Sequence, residues 1–139
     1  MAATTTARAP STSPAAAPIA VFKKEQRTQQ TTQTAGMLRE EIVSRPRVWV
    51  GVAHTAPGIT SGWHHHAEHD SYIYVLAGKI RMEFGSGGRE TCEAEAGDLL
   101  HVPPHCVHRE SNPGGEEQVI LVTRVGRGDI VLNVDCPAE

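Results

Sequence analysis

Gly58-Ile59-Thr60-Ser61-Gly62-Trp63-His64-His65-His66-Ala67-Glu68-His69-Asp70-Ser71 gathers four of the chain's eight histidines into six positions. It runs into Tyr72-Ile73-Tyr74-Val75-Leu76, whose β-branched and aromatic residues read as a strand. In an extended chain, residues two apart share a face. His64 and His66 can therefore offer two imidazoles to one point, while His65 turns away. Two neutral nitrogen donors on one face are half of a transition-metal site.

Outward from this stretch the pattern is one of short β runs cut by turn signals. Arg47 to His54 alternates, and Ala56-Pro57-Gly58 turns. Ser71 to Ala77 ends at Gly78, and Lys79 to Phe84 places Ile80, Met82 and Phe84 on one face. Gly85 to Gly88 reads as a hairpin loop, and Arg89 to Glu93, Leu99 to Val102 and Cys106 to Ser111 read as strands. Asn112-Pro113-Gly114-Gly115 is a strong turn. Gln118 to Val125 and Ile130 to Val134 close the chain around Gly126 to Asp129. The Arg127-Gly128-Asp129 triplet there reads as a turn, not an adhesion motif. A helical hint falls only on Ala35 to Ser44, around Met37-Leu38-Arg39-Glu40-Glu41-Ile42. Roughly eight to ten strands at this spacing predict an all-β sandwich or barrel.

A chain of 139 residues fits a single domain with one core. Its net charge of −3 offers no basic field for nucleic acid or anionic lipid. No segment approaches the roughly 18 apolar residues of a membrane span. The three cysteines, Cys92, Cys106 and Cys136, form no Cys-x2-Cys pair and fit the reduced thiols of a cytoplasmic protein. Met1 to about Ala20 is almost wholly Ala, Thr, Ser and Pro with one charge, Arg8, and lacks the n- and h-regions of a signal peptide. Residues 1–30 are expected to form a disordered arm, which could order against a partner subunit, and residues 31–139 the folded domain.

The third donor is expected from Gly97-Asp98-Leu99-Leu100-His101-Val102-Pro103-Pro104-His105-Cys106-Val107-His108-Arg109-Glu110-Ser111-Asn112. The first segment reads G-x5-H-x-H-x4-S-x6-G from Gly58 to Gly78, and the second G-x5-P-x-H-x2-H-x3-N from Gly97 to Asn112. Together they resemble the two motifs of the cupin superfamily, G-x5-H-x-H-x3/4-E-x6-G and G-x5-P-x-G-x2-H-x3-N. The resemblance spans about residues 47 to 125. It implies a cupin jelly-roll β-barrel (a double-stranded β-helix) with a metal on His64, His66 and His108. This sequence departs from the pattern twice: Ser71 stands at the usual glutamate ligand, and His105 at the inner glycine of the second motif.

A site of three histidines without that carboxylate resembles the three-histidine cupin dioxygenases. It also resembles the zinc-bearing cupin polyketide cyclases, in which a fourth histidine enters. His69 or Asp70 could supply the fourth donor or an acid–base group. Fe, Mn, Ni, Cu and Zn all accept imidazole, so the ligands alone select none of them.

The expected function is a metal-dependent dioxygenase acting on a small enolisable or thiol-bearing substrate. A non-redox zinc cyclase or isomerase is the alternative, and a non-catalytic small-ligand sensor a third reading. Small cupins also make a homodimer the default expectation.

The remaining residues carry plainer expectations. His54 and His101 read as structural strand residues, and His105 lies at a tight corner. Cys106 reads as an apolar filler. Tyr72 and Tyr74 should pack against the other sheet or a subunit interface, and Trp63 should point away from the ligands. Arg47 and Trp49 read as ordinary barrel positions. Ile73, Val75, Ile80, Met82, Phe84, Leu100 and Val102 are the expected walls of an apolar pocket suited to a small organic anion.

Overall fold

The computed structural model describes residues 7–8, 16–29 and 34–139. The remainder of the N-terminal segment expected as a disordered arm lies outside the described residues. Among the described residues of that segment a 3-10 turn, Lys24–Gln26, leads into the short strand β1 (Thr28–Gln29). The other strands are β2 (Met37–Arg45), β3 (Val48–Thr55), β4 (His64–His65), β5 (Asp70–Ala77) and β6 (Lys79–Phe84). They continue with β7 (Glu90–Glu95), β8 (Leu99–Val102), β9 (His108–Ser111), β10 (Gln118–Val125) and β11 (Leu132–Asn133). A six-stranded sheet runs β1-β2-β3-β10-β5-β8, and a five-stranded sheet runs β11-β4-β9-β6-β7. All pairings are antiparallel, and the two sheets form the jelly roll expected from the sequence.

The alternation read in the sequence sets the inward faces. Ser71, Ile73 and Val75 on β5 point inward, and Tyr72, Tyr74 and Leu76 point outward. Ile80 and Met82 on β6 and Ile120 and Val122 on β10 complete the core with Trp49, Ala94 and Val102. The two tyrosines therefore face away from the opposite sheet. Val75 and Ile80 are wholly buried core residues and not pocket walls.

The helical expectation over Ala35 to Ser44 is overturned, because Met37–Arg45 is strand β2. It pairs along the free side of β3 from Met37↔Thr55 to Arg45↔Val48. Met37 is buried, and Trp49 Nε1 donates to Glu41 Oε2 at 2.8 Å. These long-range contacts outweigh the local helix propensity of Leu38-Arg39-Glu40-Glu41. A bulge between Glu41 and Val43 shifts the register and hides the two-residue period from a reading of the sequence.

The two motif ends lock one corner of the barrel. Asn112 is wholly buried and donates through Nδ2 to the Thr55 and Glu116 carbonyls, while its Oδ1 accepts from Gly114 N–H. Gly58 N–H donates to the Asn112 carbonyl and so ties the first motif's start to the second motif's end. Asn112 thus satisfies corner backbone groups that burial would otherwise leave unpaired.

Candidate metal centre

His64 and His108 are direct cross-strand partners on β4 and β9, the single Cα pair joining these two strands. Residues opposite each other in an antiparallel pair present side chains on the same face, and the two ring centroids lie 4.4 Å apart. His66, two positions beyond His64, keeps that face, with its ring 5.0 Å from His64 and 5.1 Å from His108. One nitrogen from each of the three rings lies within 4.8 Å of the others, and all three residues are buried. The structure therefore brings together the three histidines that the motif spacing singled out.

A second set of contacts orients the rings. His64 Nδ1 lies 2.8 Å from the Gly62 carbonyl, His66 Nδ1 2.6 Å from the Ile130 carbonyl, and His108 Nδ1 2.9 Å from the Cys106 carbonyl. A carbonyl only accepts, so each Nδ1 must carry the proton, which leaves the Nε2 lone pair free on every ring. Metal-ligating histidines are commonly held this way, with the far N–H on a carbonyl. Burial holds the His64 and His66 imidazoles well below their usual basicity. For His66 the Arg124 cation adds to this, and for His64 the Glu110 carboxylate opposes it. Neutral imidazoles with converging lone pairs are the form a divalent metal binds, and the donor set fits such an ion.

The other histidines lie elsewhere. His65 faces away, accepting the Ala67 N–H at Nδ1 with its ring 5.9 Å from that of His105. His69 is buried, but its Nδ1 is engaged by the His66 carbonyl at 2.8 Å, and it is not part of the triad. Asp70 is also outside it: Oδ1 lies 2.7 Å from His101 Nε2, and His101 stacks on Tyr72 at the surface. His54 lies between Glu117 and Glu40. His105 adopts φ 59°, the left-handed conformation that glycine favours, at the position where the family motif has glycine.

Two spaces flank the triad. An apolar cavity of about 250 Å³ reaches His108 and is lined by Met82, Phe84, Leu100, Val102 and Cys106. On the His66 side a small cavity of about 20 Å³ is bordered by Arg39, Trp49, Ile73, Glu110 and Arg124. Arg124 points inward from β10, its guanidinium 4.6 Å from the centre of the Trp49 ring. Burial pushes its pKa down to about 10, against the pull of Glu110, so it remains cationic at neutral pH. Arg39 Nη2 approaches Glu110 Oε1 at 3.9 Å.

Arg39, Glu110 and Arg124 are the interior charges that the sequence reading missed. Arg124 shares the phase of Ile120 and Val122, and a cation on that face was the available signal. Glu110 stands two residues beyond His108 and so on the same face. Trp49 is a buried wall beneath Arg124, whereas Arg47 is exposed on the surface. Trp63 points away from the ligands, as expected, with the Arg109 guanidinium over its ring.

Residues 51–131, more than half of the chain, match the Cupin_2 family model, described as a cupin domain. The protein belongs to that family. No curated protein sequence matches the chain.

Among solved structures, it resembles an uncharacterised double-stranded β-helix protein from Klebsiella pneumoniae (20% identity, TM-score 0.65, covering 75% of this chain and 89% of that one). It also resembles KdgF from Halomonas sp. (21% identity, TM-score 0.64, 78% and 94%). A third neighbour is oxalate decarboxylase from Bacillus subtilis, in a study of its Mn(II) centres (23% identity, TM-score 0.64, 73% and 29%). At these identities the likeness concerns the fold.

Proposed function

We propose that the protein is a metal-dependent enzyme of the non-haem dioxygenase type, acting on a small enolisable organic substrate. The observation that carries this reading is the triad itself: three buried imidazoles, each with Nδ1 tied to a backbone carbonyl and Nε2 free. Bound by three neutral donors, a divalent metal keeps its full charge and supplies Lewis acidity and, for a redox-active ion, electrons for dioxygen chemistry.

The protein's own residues supply the rest. Met82, Phe84, Leu100 and Val102 hold the apolar part of the substrate and exclude water. Glu110, on the face of β9 that carries His108, is placed to take the proton released when the substrate enolises. Arg39 lies 3.9 Å from that carboxylate and helps to position it. His69 serves as a positioning residue through the His66 carbonyl.

A non-redox reading, a zinc-dependent cyclase or isomerase, is supported by the same Glu110 carboxylate, since proton transfer alone would suffice. Elemental analysis of protein purified without added metal separates the two: Fe, Mn, Ni or Cu is expected for the first and Zn for the second. Oxygen uptake by Fe-loaded protein with panels of diketones, keto acids and thiols then tests turnover, and no uptake with any of them would sink the dioxygenase reading. His108→Ala should lower metal retention at least tenfold, and full occupancy in that variant would overturn the site.

A homodimer in the cytoplasm completes the proposal. The outward row of Tyr72, Tyr74, Leu76 and Leu99 on β5 and β8 supports the dimer, and three free cysteines are in keeping with the compartment.

A further inference from the structure

Inside the barrel, two buried polar atoms without a hydrogen-bond partner belong to residues that face each other across one strand pair. Ser71 on β5 and Arg124 on β10 are direct Cα partners. Ser71 is 1% exposed and Arg124 9%, and both Ser71 Oγ and Arg124 Nε lack a partner. A further such atom among the described residues, Gln118 Oε1, sits at the opposite end of β10. Leaving a buried donor unmatched is destabilising, and more so for a charged group. Two such donors on adjacent strands call for one shared acceptor between them.

The surroundings specify the kind of acceptor. The small cavity bordered by Arg124 is bordered by His66 as well, so it adjoins the histidine triad; Ser71 stands outside its lining, as the cross-strand partner of Arg124. Its volume of about 20 Å³ admits a single oxygen-sized group. Two arginines, Arg39 and Arg124, and one carboxylate, Glu110, border it, which leaves one positive charge over. Glu110 approaches Arg39 at 3.9 Å and also attracts Arg124, so one carboxylate is shared by two cations on this cavity. A water molecule would satisfy the hydrogen bonds and leave the surplus charge uncompensated, whereas an anionic oxygen satisfies both. Ser71 also stands where the family motif has its glutamate, so this chain lacks a carboxylate of its own here and places a cation beside the gap.

Resting on the reading of the triad as a catalytic metal centre, we propose that Ser71 and Arg124 form a carboxylate subsite that receives one oxygen of the substrate's acid group. The substrate is then a small organic acid whose carboxylate lies against β5 and β10 and whose apolar part lies in the cavity beside His108. Among enolisable compounds this selects keto acids and related carbonyl acids over neutral diketones and over thiols without an acid group.

Calorimetric binding of malonate and of its neutral isostere malonamide tests the proposal, using the protein as purified with its metal and again after chelation. Malonate is expected to bind at least tenfold more tightly than malonamide. Arg124→Gln should abolish that preference. Ser71→Ala should weaken malonate at least threefold, with metal content unchanged in both variants. Arg124→Lys, which keeps the charge, should retain the preference and covers the case in which the glutamine variant does not fold.

Equal affinity for the two probes in a fully metallated protein would overturn the subsite and leave the metal reading intact. Wild-type malonate affinity in folded Ser71→Ala and Arg124→Gln proteins would overturn it as well. A protein that retains no metal, yet still prefers malonate through Arg124, would overturn the metal reading and leave the subsite standing.

Discussion

At His64 and His66 the same burial that prepares a metal site makes protonation unfavourable. Both rings are held below their ordinary value of 6.5, chiefly because the interior does not solvate an imidazolium. The unfolded chain takes up protons at these positions below about pH 6.5, and the folded chain resists them. Their contribution to stability is thus complete above that pH, and it drains away as pH falls from 6.5 towards the lowered folded values. Metal-free protein should show a falling urea midpoint between pH 7.5 and pH 5, and His66→Gln should flatten the trend. An equal slope in that variant would assign the acid sensitivity elsewhere. Of the clustered histidines, His64 and His66 were legible in the sequence because two-residue spacing in a strand is a rigid geometric statement, and His108 through the resemblance to the second cupin motif. Ser71, Glu110 and Arg124 were harder to read. Their meaning depends on which strands lie opposite, and cross-strand neighbours are not encoded locally.

Elements show the same division between local and long-range information. β5, β6 and β10 declare themselves by clean alternation, with Gly78 and the Asn112 corner marking their ends. β2 does not, because its bulge breaks the period and its residues favour a helix in isolation. Misreading β2 also hid Arg39, since a residue given a helical phase cannot be assigned to a barrel face. The tight pairing of β2 with β3 leaves no room at Gly51, where an added Cβ would lie 2.2 Å from the Trp49 ring and 2.7 Å from the Glu40 carbonyl. Gly51→Ala should therefore destabilise the protein by about 1–3 kcal/mol through overpacking, measured as a lower urea midpoint. The corner before β9 carries strain of another kind. His105→Gly should relieve the left-handed residue and raise stability by about 1 kcal/mol with metal content unchanged, measured by thermal melting and elemental analysis.

For the molecule as a whole, the outward face of the six-stranded sheet is the feature with consequences for assembly. Tyr74 and Leu99 are paired across β5 and β8, and Leu99 is 62% exposed. Tyr72 and Leu76 extend the patch along β5, where β8 leaves the sheet with an unpaired edge. Light scattering should give twice the chain mass of 15.0 kDa, and a Tyr74→Lys variant should give the single mass. A wild-type monomer at micromolar concentration would remove the dimer from the proposal.

The carbonyl of Ile130, which fixes the His66 ring, also bears on how the molecule is made. A ribosome supplies His64 and His66 first, His108 more than forty residues later, and Ile130 later still. β11, just past Ile130, then pairs with β4, the strand that carries His64. A nascent chain can hold all three ligands and most of both sheets while one imidazole still lacks its orienting partner. Tight metal capture thus waits until the segment around Ile130 has been translated and has docked against β4.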